Sequence, residues 1–201
     1  MRWLLWLVLL AFPAGAAAAE PIQVVCLGDS LTEGYGVAAE EAYPARVERR
    51  LHAEGRTQVR LVNAGISGST SASGLARLRW QLRADPQILL LALGANDGLR
   101  GFDLQVTRRN LSQVIRHAQD SGLLVLLAGM KLPPNYGPDY AREFERMFPS
   151  LAEEHSVALI PFLLEGVAGD PALNLPDGIH PNAEGHARVA ETVYRYLLPH
   201  L

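Results

Sequence analysis

Four short strings in the chain hold residues whose types and spacing suit acyl-transfer chemistry. In Gly28-Asp29-Ser30-Leu31-Thr32, which follows an apolar run, a glycine turn presents a serine hydroxyl and leaves the serine N–H to face an oxyanion. A helix N-cap also favours serine at such a place. Asn63-Ala64-Gly65-Ile66-Ser67-Gly68-Ser69-Thr70 is a glycine-rich turn whose backbone N–H groups, that of Gly68 above all, can approach a bound group. It lacks the lysine and spacing of a P-loop and the further glycines of a dinucleotide fingerprint. In Leu93-Gly94-Ala95-Asn96-Asp97-Gly98 the Asn96 amide stands beside two glycines and can donate through its N–H2 group, although Asn-Asp-Gly is also a plain turn string. Asp177-Gly178-Ile179-His180-Pro181-Asn182 sets an aspartate three residues before a histidine, close enough to orient the ring and leave Nε2 free as a base.

Together these strings supply a nucleophile, a base with its orienting acid, and three oxyanion donors: the N–H groups of Ser30 and Gly68 and the Asn96 side chain. Helix capping and a metal pair compete for Asp177 and His180, but two ligands do not make a site and His186 is the one nearby addition. His52, His117, His155 and His200 fall on helical or terminal segments, where solvated surface is expected. No metal and no cofactor is expected. The Gly-x-Ser-x-Gly elbow of α/β-hydrolases is absent, which disfavours that superfamily despite the shared order Ser, Asp, His.

These strings need a frame. Apolar runs at Gln23–Leu27, Val59–Val62, Ile88–Leu93, Leu123–Ala128 and Ala158–Ile160 read as strands, the first four nearly continuous in Leu, Val and Ile, as in parallel strands covered on both faces. Tyr43–Glu54, Ser73–Arg83, Leu104–Asp120, Pro138–Glu153 and Ala183–Leu198 read as helices. In Leu104–Asp120 the residues Leu111, Val114, Ile115 and Ala118 mark a buried face, with Leu104 and Val106 also counted apolar, and Arg108, Arg109, Gln113 and Arg116 a solvated one. The alternation predicts one doubly wound α/β domain, a three-layer α/β/α sandwich on a central parallel five-stranded sheet. Ligands of such folds bind beyond the carboxyl ends of the strands, where all four strings fall.

Composition agrees with a globular chain: 49% hydrophobic and 19% charged residues over 201 positions exclude disordered, collagen-like and multi-span membrane classes. A net charge of −3 offers no basic field for nucleic acid. The lone cysteine, Cys26, lies in an apolar run and reads as a small buried hydrophobe. Arg2, the apolar run Trp3–Phe12 and a small-residue tract ending in Ala17-Ala18-Ala19 make a secretory signal cut after Ala19, too short and too broken by Pro13 and Gly15 for a membrane anchor. Residues 1–19 are then a leader and 20–201 the catalytic domain, exported to the periplasm or secreted, with no stable membrane insertion after cleavage. Removing the leader leaves 17 basic against 21 acidic side chains.

In these blocks, Gly28-Asp29-Ser30-Leu31, Gly65-Ile66-Ser67-Gly68, Gly94-Ala95-Asn96-Asp97 and Asp177-Gly178-Ile179-His180-Pro181, the chain resembles the SGNH or GDSL hydrolases, with all four family blocks in order. The likeness extends through Gly74–Leu78, Asn96–Gly101 and Leu132–Gly137 to the family's bacterial periplasmic branch of multifunctional esterases, thioesterases and lysophospholipases. The resemblance implies a flavodoxin-like SGNH fold, Ser30 as nucleophile, His180 as base and acid, Asp177 as its partner, and Ser30, Gly68 and Asn96 as the oxyanion hole. It implies a small-molecule acyl ester or thioester as substrate and a monomer. A carbohydrate or peptidoglycan acetylesterase of the same family and a non-catalytic exported lipid carrier are the alternatives. Lys131–Pro138 follows the fourth strand and reads as a semi-rigid wall over the rim, with Leu132, Pro134, Asn135 and Tyr136 as substrate-binding residues; a plain strand-to-helix connection is the competing reading.

Overall fold

The computed structural model describes residues 21–201, so the expected leader and its cut after Ala19 lie outside the described residues. Strands β1 (Ile22–Gly28), β2 (Val59–Gly65), β3 (Ile88–Ala92), β4 (Leu124–Ala128) and β5 (Ala158–Ile160) form one sheet in the order β2-β1-β3-β4-β5. Every pairing is parallel. Parallel neighbours need crossovers, which the helices supply. These are α1 (Ser30–Glu33), α2 (Tyr43–Ala53), α3 (Gly74–Gln81), α4 (Ala95–Leu99), α5 (Leu104–Asp120), α6 (Pro138–His155) and α7 (Ala183–Leu197). On one face α2 packs on α7; on the other α5 lies between α3 and α6. The three-layer α/β/α sandwich expected from the sequence is the fold observed.

The core forms where helices bury their apolar stripes on the sheet. Leu89, Leu90 and Leu91 of β3 and Leu111, Val114, Ile115 and Ala118 of α5 are fully buried, and each large aliphatic side chain so removed from water contributes about 1.5–3 kcal/mol before chain entropy is counted. Cys26 is buried in the middle of β1, and desolvation pushes its thiol well above the ordinary value. Val106, counted with the apolar positions of α5, is 42% exposed, because its position lies well around the helix from residues 111, 114, 115 and 118. Arg108 is not merely solvated: it bonds Ser150 Oγ at 3.2 Å and pairs with Glu154, tying α5 to α6.

The strand β2 departs from the both-faces-covered expectation, since it is the sheet edge and exposes Arg60 and Asn63. Its open backbone is partly satisfied by Glu48 of α2, whose carboxylate accepts the Leu61 N–H at 2.6 Å. It also runs three residues further than its apolar run, to Gly65 opposite Gly28 of β1. The chain leaves β1 toward β2 and leaves β3 toward β4, in opposite directions, so the ends of the adjacent strands β1 and β3 open a crevice at the reversal. Ser30 follows one of those ends and Asn96 the other. Among the described residues no helix is long and apolar enough to cross a membrane.

Candidate active site

Ser30 is the first residue of α1, and the cap of that helix is Asp29 instead of the serine. Asp29 Oδ1 accepts the Leu31 N–H at 3.1 Å, and the Asp29 carbonyl accepts the N–H groups of Thr32 and Glu33. The serine hydroxyl is thereby left for a different partner. That partner is His180, whose Nε2 lies 2.9 Å from Ser30 Oγ across 150 residues of chain, while its Nδ1 lies 2.7 Å from Asp177 Oδ2. A carboxylate at Nδ1 fixes the proton there, so Nε2 accepts the serine O–H.

The Asp177 carboxyl is held down at about 2, first by the backbone N–H of His180 and also by that of Ile179, both donating to Oδ1 at 3.0 and 2.9 Å. It is ionised throughout the neutral range. The loop that carries the pair is closed by Leu175 N–H on the His180 carbonyl at 2.7 Å and Asn182 N–H on the Leu173 carbonyl at 2.9 Å.

The turn after β2 reaches Ser30 because Gly65 has no Cβ: one built there would stand 2.1 Å from the backbone nitrogen of Glu33 in α1. At Gly68 the constraint differs from the crowding that close approach implies. A Cβ would meet only Arg100 Nη2 at 3.6 Å, an ordinary contact, but φ is +74°, where side chains other than glycine are strained. Arg100 donates to the Gly68 carbonyl at 3.1 Å, and Glu33 accepts both the N–H of Ser67, at 2.6 Å, and its hydroxyl. Neither the Ser30 nor the Gly68 N–H donates a hydrogen bond among the described residues.

Asn96 lies in the first turn of α4, a helix that turn-like Asn-Asp-Gly conceals in the sequence. Its amide donates to the Ser69 carbonyl at 3.0 Å and, over a longer 3.3 Å, to Asp29 Oδ2. The next residue, Asp97, is 2% exposed and accepts the Ser71 N–H at 2.8 Å and its hydroxyl at 2.6 Å, fastening the turn after β2 to α4. Asp29, Glu33, Asp97 and Arg100 were not singled out by sequence reasoning. Asp29 and Asp97 lie inside the four strings and Glu33 and Arg100 just beyond them, and that placement was their only signal.

The segment after β4 contains a 3-10 turn at Pro134–Tyr136 and sits on α4. Tyr136 O–H donates to the Leu99 carbonyl at 3.0 Å, and Leu132 is half-buried against Gly98, so both expected groove-liners hold the helix of Asn96; Asn135 is exposed. Among the described residues no group of three or more His, Cys, Asp or Glu side chains is placed to hold a metal. His186 is 1% exposed, and burial pushes it down to about 4, which leaves the ring neutral. His155, expected to be solvated, instead bonds Ser112 Oγ at 2.8 Å with its side chain only 8% exposed.

Residues 26–188 match the GDSL-like Lipase/Acylhydrolase family. An arylesterase of Vibrio mimicus is 41% identical over 193 residues, 96% of each chain. Thioesterase 1/protease 1/lysophospholipase L1 of Escherichia coli (strain K12) is 40% identical over 202 residues, 98% of this chain and 93% of that one. The crystal structure of TesA superposes with a TM-score of 0.86 at 40% identity, covering 89% of this chain and 99% of that one.

The electrostatics of Asp29 can be tested directly. Burial raises its carboxyl from 3.8 to about 6, against the opposing bonds from Leu31 N–H and Asn96. The folded state thus holds this proton more tightly than the unfolded chain. The group costs little stability below the unfolded value, and the penalty grows as pH rises and is complete above about pH 6. Asp29→Asn removes the titration, so the variant gains about 3 kcal/mol relative to the parent between about pH 4 and pH 7. Urea unfolding of both proteins across that range checks this, and a constant difference would contradict it.

Proposed function

The chain belongs to the GDSL-like lipase/acylhydrolase family and is a hydrolase acting on ester bonds, and from that premise we propose that it cleaves carboxylic esters and thioesters of single acyl chains through a Ser30-His180-Asp177 triad. The observation that carries the proposal is the unbroken line from Ser30 Oγ through the imidazole to Asp177, at 2.9 and 2.7 Å. In the first half-reaction Ser30 Oγ bonds to the acyl carbon and its proton passes to His180 Nε2. The bond from that carbon to the leaving oxygen or sulfur then breaks, and the leaving group takes the proton. In the second, water gives a proton to His180 and bonds to the acyl carbon, the bond to Ser30 breaks, and the proton returns to Oγ.

The oxyanion faces the free N–H groups of Ser30 and Gly68, and Asn96 turns an N–H from its longer bond with Asp29 toward it. The names of the relatives, arylesterase and thioesterase 1/protease 1/lysophospholipase L1, support substrates that share an acyl group and differ in the leaving group. On this reading Leu132, Pro134, Asn135 and Tyr136 form the acyl-chain wall, and the protein works as a monomer. Residues 1–19 are an export signal, and the enzyme is periplasmic or secreted.

Ser30→Ala abolishes turnover with the circular dichroism unchanged; retained activity would remove Ser30 from the mechanism. Asn96→Ala lowers kcat by about 10²–10³ with a small change in KM, the usual cost of one oxyanion donor, and a pure KM effect would make the amide a substrate contact.

Across a series of acyl chain lengths on one leaving group, each methylene buried against the wall adds at most about 0.8 kcal/mol until the groove ends. Tyr136→Ala flattens that rise, and an equal loss at every length would assign the segment to support of α4 alone.

Fusing residues 1–19 to a reporter exports it, and N-terminal sequencing of the exported enzyme begins at Glu20; uncleaved protein in the membrane fraction would identify an anchor.

A further inference from the structure

Tyr35 has no part in the triad or the oxyanion donors, yet it stands against the base. Its ring lies over the His180 imidazole with centroids 4.6 Å apart and planes tilted by 43°. It is also 51% exposed, and Ile179, one residue before the base, is 44% exposed.

The ring is held by backbone, not by its tip. Tyr35 N–H donates to the Ser30 carbonyl at 3.1 Å, and the Tyr35 hydroxyl makes no hydrogen bond among the described residues. The next residue, Gly36, has φ +79° and passes so close to Leu175 that a Cβ would stand 2.5 Å from Leu175 Cδ1. Leu175 in turn donates its N–H to the His180 carbonyl. Tyr35 is therefore fixed relative to the serine through α1 and relative to the histidine through Leu175.

Resting on the Ser30-His180 mechanism, we propose that Tyr35 is the floor of an apolar, aromatic-selective subsite for the leaving group of the ester. The proton taken from Ser30 is handed by His180 Nε2 to the leaving oxygen or sulfur, so that atom must come within roughly 3 Å of Nε2. Whatever is bonded to it then lies beside the ring that covers the imidazole. A flat aromatic substituent gains contact and ring-ring attraction there, while a methyl group is too small to reach across the tyrosine. The acyl chain leaves the reacting carbon in another direction, so this subsite selects on the alcohol or thiol and not on chain length.

The test uses benzyl and methyl esters of one carboxylic acid, whose alcohols have nearly equal acidity, so intrinsic leaving ability does not confound the comparison. The mature enzyme is expected to favour the benzyl ester in kcat/KM. Tyr35→Ala lowers the benzyl-to-methyl ratio about 10-fold, and Tyr35→Phe keeps it within about 2-fold of the parent, because the contact uses the ring face and not the hydroxyl. Labelling of Ser30 by an organophosphonate is followed in all three proteins. An unchanged ratio in Tyr35→Ala, whether both rates fall together or neither falls, would overturn the subsite while labelling leaves the nucleophile standing. Absence of both turnover and labelling in the parent protein would overturn the Ser30 mechanism and the subsite with it.

Discussion

A carboxylate with almost no access to water joins the two strand ends on which this site is built. Asp29, 2% exposed, caps α1 with one oxygen and meets the Asn96 amide with the other, so the helix of Ser30 and the helix of Asn96 share one buried acceptor. Burying an ionised carboxylate is costly unless donors surround it, and its carboxyl rises to about 6 because the donors do not offset the whole desolvation. The cost has a structural return. Held by its shorter bond to the Ser69 carbonyl, the Asn96 amide has only to turn its other N–H from Asp29 to a developing oxyanion, so little reorganisation is left for the moment of reaction.

The topology makes that contact possible. Because the chain turns opposite ways from β1 and β3, the two neighbouring strand ends carry their following helices apart and leave space between them. Into it comes the turn after β2, from the outer edge, and it must travel beneath α1 to arrive. Gly65 allows the passage, and Asp97, Arg100 and Glu33 then fasten the turn at Ser71, Gly68 and Ser67. Three elements distant in sequence are thereby fixed to one another by charged side chains, not by packing alone.

How much of this was legible in the sequence depended on the range of the interaction. The five apolar runs and the long helices could be read because burial against a sheet leaves a periodic trace, and their order gave the fold class. Ser30, Gly68, Asn96, Asp177 and His180 could be picked out because each sits in a short polar string after a strand or before a helix, and the structure brings these residues together. The short helices α1 and α4 escaped, being too brief to show a period. Glu33, Arg100 and Tyr35 escaped for another reason: their partners lie on other strands' loops, and nothing local distinguishes an exposed glutamate that holds a distant N–H from one that holds only water. His155 went wrong in the same way, since exposure of a helical residue depends on which neighbour the fold places opposite it.

The two halves of the site are restrained unequally, and the chemistry explains why that is sufficient. The proposed oxyanion donors rest on Asp29 and Asp97, both nearly inaccessible to solvent, whereas His180 and Asp177 lie on a loop with side chains 20% and 39% exposed. Misplacing an oxyanion donor by a fraction of an ångström forfeits much of its effect, so that half is tied into buried acceptors. The proposed base needs the correct tautomer and reach to two heteroatoms in turn, the serine oxygen and then the leaving atom. The tautomer is supplied within three residues by Asp177, and reach is preserved by Leu175 on one side of the loop and the Tyr35 ring on the imidazole. The proposed base, held this way, keeps one proton on Nδ1 while Nε2 carries the other from the serine oxygen to the leaving oxygen or sulfur.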